Sequence, residues 1–159
     1  MTAEEKNEFT LRISQANHSQ LLLINYDIVI KCIEDAKEEF EKGNLQEFLN
    51  NVRQAQKFHQ ELIHSLNVVD TVGLEVMQLY LYVNKILVTA VFKKEMKELD
   101  SALTVLRNLR VGFEGMAKQD FEGPIMQNTQ QIYAGLTYGK GYLNESYMDP
   151  LQQSRGFKA

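Results

Sequence analysis

The sequence is poor in the residues that cross-link or interrupt a small protein. It has one cysteine, two prolines and no tryptophan in 159 residues. Because the single cysteine, Cys32, cannot close an internal disulfide, nothing indicates an oxidising compartment, and we expect a reducing one. Both prolines, Pro124 and Pro150, lie after residue 119. The chain before them therefore lacks the residue that most strongly breaks helices.

Strong charge and long apolar runs are also lacking. The formal net charge is −4 and basic residues are scattered, whereas nucleic-acid phosphates are bound by clustered Lys and Arg. No apolar run approaches the roughly 18 to 20 residues of a membrane span, and no basic leader opens the chain. We therefore expect a soluble cytoplasmic protein with no nucleic-acid partner and no membrane insertion.

Hydrophobic residues recur in steps of three and four through the proline-free body, which is typical of helices. This spacing predicts four helices, over about residues 19–42, 44–67, 70–93 and 94–118. Asn44 and Glu47 have the spacing of a capping box, and Gly43 suits the left-handed end of the first helix. Because short connections make neighbouring helices antiparallel, we predict an all-α fold, an antiparallel up-and-down four-helix bundle at residues 17–118.

The two ends of the chain differ from this body. Residues 1–16 form an N-terminal strip, and residues 119–159 form an irregular tail that bears Gly and Tyr. The spaced apolar residues of the tail bury too little surface to fold alone. We predict that one or both ends act as a removable cover on the bundle, or that the tail docks on a second molecule. The oligomeric state stays open between monomer and weak dimer.

The stretch LLLINYDIVI, residues 21–30, has more apolar surface than one helix face needs, since eight of its ten residues are large and apolar or aromatic. On a helical wheel, several of them fall beside the main stripe. The predicted third helix shows the same excess. Its predicted core stripe is Val72, Val76, Leu79, Val83, Ile86 and Ala90, and a second row beside it is Met77, Tyr80, Leu87 and Val91, with Leu81, Tyr82 and Val88 further round. Such surplus indicates a partner surface, or a surface covered by the chain's own ends. The candidate binding residues are Leu21, Ile24, Ile28, Tyr80, Tyr82 and Leu87.

Residues suited to catalysis or metal binding are few. Glu61 and His64 have the Glu-x-x-His spacing of di-iron bundles, but they point away from core residue Leu62, and no second such pair exists. His59 lies on the core stripe and is predicted to be structural, because catalysis needs an orienting carboxylate and a pocket. We predict no enzyme activity, no metal and no cofactor. The alternative is a helical-bundle phosphotransfer or metal-binding protein, with His64 or His18 exposed.

Three stretches resemble the flagellin export chaperones of the FliS type, from about Leu11 to Gly115. LRISQANHSQLLLINYDIVI resembles the family's leader and its Leu-Tyr-Asp-Gly helix start, and AQKFHQELIHSLN resembles its second helix. LYLYVNKILVTAVFKKEMKELDSALTVLRNLRVGFEG resembles its third and fourth helices. The sequence departs from the family at Ile28, where glycine follows Tyr-Asp, and at Phe113, where tryptophan is common.

The resemblance implies a cytoplasmic chaperone that is not an enzyme and needs no cofactor. It implies that the chain binds the C-terminal segment of newly made flagellin, prevents its polymerisation and delivers it to the flagellar export gate. An amphipathic client helix in an apolar groove would explain the surplus rows, and the six candidates above become client-binding candidates. The resemblance also implies that the N-terminal strip shields the client site.

Overall fold

The computed structural model describes residues 1–118, and this part of the chain is helical without any strand. The helices are α1 at Ala3–Gln15, α2 at His18–Glu41, α3 at Leu45–Ser65, α4 at Thr71–Lys93 and α5 at Leu99–Ala117. The all-α prediction is confirmed, but these residues form five helices rather than the predicted four. The tail prediction, residues 119–159, lies outside the described residues.

The additional helix, α1, lies within the predicted N-terminal strip. Thr2 caps it: the Thr2 hydroxyl accepts a hydrogen bond from the Glu5 N–H at 3.2 Å, and the Glu5 carboxylate accepts one from the Thr2 N–H at 2.7 Å. This reciprocal pair is a capping box. Ala16 is extended and ends the helix. The start signal was therefore present in the sequence, as Thr-x-x-Glu at residues 2–5.

The four longer helices form a closed ring. Each contacts the next along the chain, and α5 returns to contact α2. Ion pairs join Asp27 to Arg110 and Lys37 to Asp100. Because residue numbers rise along α2 while they fall along α5, these two helices are antiparallel. Among the described helices, α1 contacts only α2, so it lies on the outside of the ring.

The core of the ring is mainly aliphatic, with one polar cluster. The hydroxyls of Tyr26 and Tyr80 are hydrogen-bonded to each other, and the His59 Nε2 is 2.8 Å from the Tyr80 carbonyl oxygen. Because a carbonyl only accepts, His59 Nε2 donates, and its buried Nδ1 is left without a hydrogen-bond partner. The prediction that His59 is a structural core residue is confirmed.

By length and composition alone, helix α4 could cross a membrane. No other helix within residues 1–118 meets both criteria. Within the fold it contacts α3 and α5 along one side. A core helix of a soluble protein passes the same test. The apolar composition of α4 reflects two apolar sides, one inside the ring and one outside.

The stability of this core should depend on pH through His59. Burial lowers the pKa of His59, because desolvation disfavours the imidazolium. The unfolded chain therefore binds a proton more readily than the fold does. The free energy of unfolding should be at its full value above the unfolded pKa of about 6.5, and should decrease as the pH falls below it.

Urea denaturation at about pH 7.5 and about pH 5 would measure this decrease. His59→Gln removes the titrating group and should flatten the dependence, whatever its own effect on stability. His64→Gln is the matched control, because His64 is exposed, and it should keep the wild-type decrease. An equal pH dependence in His59→Gln and wild type would show that other groups cause it.

Candidate binding groove

Three of the six predicted binding residues meet in one groove. Leu21, Ile24 and Ile28 of α2 line an open groove of about 530 Å³, together with Ile13 of α1 and Phe58 of α3. Leu21 is 37% exposed, whereas Ile24 and Ile28 are buried. Ile24 also lines a second groove, together with Arg12 and Gln15 of α1. The surplus row of α2 therefore lies beside the chain's own N-terminal helix, with Leu21 still partly exposed.

Few apolar contacts hold α1 in place. No residue of α1 is fully buried, and its half-buried Phe9 and Ile13 pack against the core. The Arg12 guanidinium lies over the Phe9 ring at 5.4 Å from the centroid. Along the other edge, Glu5 pairs with Lys31 at 3.0 Å. Partly exposed ion pairs contribute only about 0 to 1 kcal/mol each, so α1 is held more weakly than the ring helices.

Asp27 connects α1 to the ring. Its carboxylate is 2.5 Å from Arg12 of α1 and also pairs with Arg110 of α5. Burial alone would raise the pKa of Asp27, but the hydrogen bonds from Arg110 and Arg12 outweigh this effect and lower the pKa. Asp27 therefore stays ionised and fixes the position of α1 over α2. It was not among the predicted site residues.

Two predicted binding residues, Tyr80 and Leu87, are buried in the ring core, so the expectation that they lie on a surface row is wrong. The helix α4 has two adjacent apolar rows, and the sequence alone did not show which one faces inward. The structure turns the row of Tyr80 and Leu87 inward. Val72 and Leu79, which were predicted to be buried, are exposed instead.

Tyr82 is exposed, as predicted, but it does not belong to the α2 groove. It lies on α4, and no residue of α4 lines that groove. The outside of α4 also carries Leu74, Leu81, Val88 and Phe92, all exposed. The surplus predicted on this helix included Leu81 and Val88 but not Leu74 and Phe92, although the spacing of seven, seven and four residues is visible in the sequence.

The family model of the flagellar protein FliS matches residues 1–120. The chain belongs to the FliS family. No curated protein matches it significantly. The matched residues include all five helices, so α1 is part of the FliS-family domain. Members of this family are flagellar chaperones that bind flagellin, and they are not known as enzymes. The chain is accordingly a flagellar chaperone.

In this FliS-family domain the groove is formed by apolar packing, and an ion pair between Asp27 and Arg12 lies beside it. No group of three or more His, Cys, Asp and Glu side chains within residues 1–118 is placed to hold a metal. Cys32 is buried beside the groove row, and burial raises the pKa of its thiol to about 11. It is therefore a neutral thiol that packs as a small apolar side chain. Asp27 follows Tyr26 in the stretch that resembles the family's Tyr-Asp motif.

Proposed function

We propose that this chaperone binds the apolar C-terminal segment of flagellin in the groove of α2, and that α1 is the removable cover of that groove. The observation that carries the proposal is the position of α1 on Ile24 and Ile28. Both side chains are buried, and each lines a groove to which α1 also contributes residues. A surface that accepts the chain's own amphipathic helix has the shape and chemistry to accept a client helix.

The proposal explains how binding would prevent polymerisation. A client helix in the groove would bury its apolar side on Leu21, Ile24 and Ile28, and that side would no longer be available to other flagellin molecules. Binding of this kind needs neither a catalytic group nor a cofactor. The chaperone would act in the cytoplasm and deliver the bound segment to the flagellar export gate.

Displacement of α1 would set the affinity for the client. The client and α1 compete for the same apolar row, so the observed affinity equals the intrinsic affinity reduced by the fraction of chaperone whose groove is open. The contacts of α1 are few and partly exposed. Helix α1 can therefore shield the apolar row in the free chaperone and still be displaced by a client helix that buries more apolar surface.

The combined substitution Phe9→Ala and Ile13→Ala tests the cover. Both side chains are half-buried against the core, so their truncation should weaken the docking of α1 by roughly 1.5 kcal/mol. A larger open fraction should then tighten flagellin binding by roughly tenfold. Leu11→Ala is the control, because Leu11 lies on the same helix and is exposed, and it should leave the affinity unchanged.

Isothermal titration with a peptide of the flagellin C-terminal segment would measure these affinities. Weaker binding in the double variant would mean that α1 contacts the client instead of competing with it. Equal affinity in wild type and variant would mean that α1 does not cover the binding site. A peptide that binds neither protein would contradict the proposed client site altogether.

A further inference from the structure

The carboxylate of Asp27 divides its two oxygens between two helices. Its Oδ1 accepts a hydrogen bond from Nε of Arg110 on α5. Its Oδ2 accepts one from Nη2 of Arg12 on α1 at 2.5 Å, whereas Nη2 of Arg110 is 3.4 Å from the same oxygen. The side chain of Asp27 is only 19% exposed. The close partner of Oδ2 is therefore a residue of α1, the helix that we propose is displaced by the client.

Displacement of α1 would leave Oδ2 of Asp27 without a close cation. An ionised oxygen that is largely shielded from water gains more from a cationic donor than from a neutral one. Lys31, one turn further along α2, loses less. It pairs with Asp35 of its own helix at 2.9 Å as well as with Glu5 of α1 at 3.0 Å. Of Asp27 and Lys31, Asp27 therefore loses more of its pairing when α1 leaves.

We propose that Asp27 is a specificity-determining residue for the client: the flagellin helix that displaces α1 carries a Lys or Arg whose side chain takes the place of Arg12 on Oδ2. The client must occupy the position of α1 for this exchange, so the assignment rests on the proposed function. A segment with such a residue replaces the ion pair that it breaks, whereas a segment without one does not. This difference in binding free energy would select a client with a cationic residue.

The place for the client's cation adjoins the apolar contact. Arg12 and Arg110 line the second groove, of about 330 Å³, together with Ile24, which also lines the first. On α1, Phe9 and Ile13 are four positions apart and pack against the core, and Arg12 directly precedes Ile13. A client helix that lies in the direction of α1 should therefore carry apolar residues four positions apart, with its Lys or Arg directly before the second.

Two chaperone variants separate client recognition by Asp27 from its contact with α1. Arg12→Gln removes the partner of Asp27 on α1 and should tighten binding of the flagellin C-terminal peptide several-fold, because α1 is then held less firmly. Adding Asp27→Asn in this background removes the partner of the client's cation and should weaken binding roughly tenfold. Asparagine keeps the shape of the side chain, and Arg110 keeps its pair with Glu114 at 3.5 Å. Isothermal titration would measure both affinities.

Glu34→Gln in the same Arg12→Gln background is the matched control. Glu34 is also a carboxylate of α2 that pairs with an arginine of α5, in this case Arg107 at 2.6 Å. It lines neither of the two grooves, so its replacement should leave the affinity for the peptide unchanged. Thermal unfolding of each variant gives the folded fraction, by which the affinities are corrected.

Variants of the peptide provide a second test, on the wild-type chaperone. When the Lys and Arg residues of the peptide are replaced one at a time with Gln, one replacement should weaken binding roughly tenfold. In the Arg12→Gln background that peptide should no longer respond to Asp27→Asn, because the two changes remove the same ion pair.

Equal affinities for all these peptides, or tight binding of a flagellin segment that has no Lys or Arg, would overturn the role of Asp27 and leave the proposed client groove standing. An effect of Glu34→Gln as large as that of Asp27→Asn would overturn it too, because any carboxylate of α2 would then serve. A peptide that binds neither the wild type nor any variant would overturn the proposed function and the role of Asp27 together.

Discussion

Replacing Leu87 with alanine should lower the free energy of unfolding by about 2 to 5 kcal/mol, which is the usual effect of truncating a fully buried leucine. Leu87 has no exposed surface and lies inside the ring, so the truncation removes apolar contacts and leaves a cavity. Urea denaturation monitored by circular dichroism would measure the loss. Binding of the flagellin peptide by the folded fraction should be unchanged, because the side chain does not reach the surface.

Val72→Ala on the same helix is the matched control. The hydrophobic pattern predicts Val72 as core and Leu87 as surface, whereas the structure reverses both, with Val72 65% exposed. Val72→Ala should change stability by no more than about 0.5 kcal/mol, as surface substitutions do. If Leu87→Ala instead left stability intact and weakened flagellin binding, Leu87 would be a surface residue and this orientation of α4 would be wrong.

The sequence predicts the inward side of α3 better than that of α4, because α4 has two adjacent apolar rows. On α3 the spacing predicts one core row, Leu45, Phe48, Val52, Ala55, His59, Leu62 and Leu66. The five central members are buried, whereas Leu45 at the start of the helix is 40% exposed and Leu66 just after its end is half-buried. On α4 two rows compete, and hydrophobicity alone does not distinguish the side that packs from the side that stays exposed. What selects the inner row is tertiary: the Tyr80 hydroxyl has a buried partner in Tyr26, while Leu79 has no such partner to draw it inward.

The connection between α4 and α5 is longer than the sequence predicts. The spacing placed the fourth helix directly after Lys93, but Lys94 adopts a left-handed conformation, with φ 57°, and ends α4. Helix α5 then begins only at Leu99. A lysine in this conformation is uncommon, since glycine and asparagine are the usual residues there. The sequence therefore carried no recognisable stop signal at this position.

The groove could be predicted only in part, because its cover depends on contacts between distant residues. Leu21, Ile24 and Ile28 were found as a surplus row on one helix, which needs only local spacing. The placement of α1 over them depends on Asp27, whose partners Arg12 and Arg110 are 15 and 83 positions away in the chain. The sequence alone does not show that these three side chains meet, so it does not distinguish an apolar row beside α1 from a row that is fully exposed.

Replacing Ile24 with aspartate should weaken flagellin binding at least a hundredfold, or about 3 kcal/mol. Ile24 lies at the centre of the proposed client contact, and a carboxylate there would lose its hydration without gaining a partner when the client docks. The same charge should also loosen α1, which favours an open groove, but the lost client contact outweighs this gain. The bundle should remain folded, because release of α1 lets the introduced carboxylate face water.

The measurements are titration of the flagellin C-terminal peptide and thermal unfolding of each variant. Val111→Asp is the control, since it adds the same charge at an exposed site on α5 and should alter neither property. Leu21→Asp provides a second test in the same groove at a position that is already partly exposed, so its effect on folding is smaller. Normal binding by both groove variants would exclude this surface as the client site. If Ile24→Asp unfolds while Leu21→Asp binds normally, Ile24 belongs to the core and the groove is not where flagellin docks.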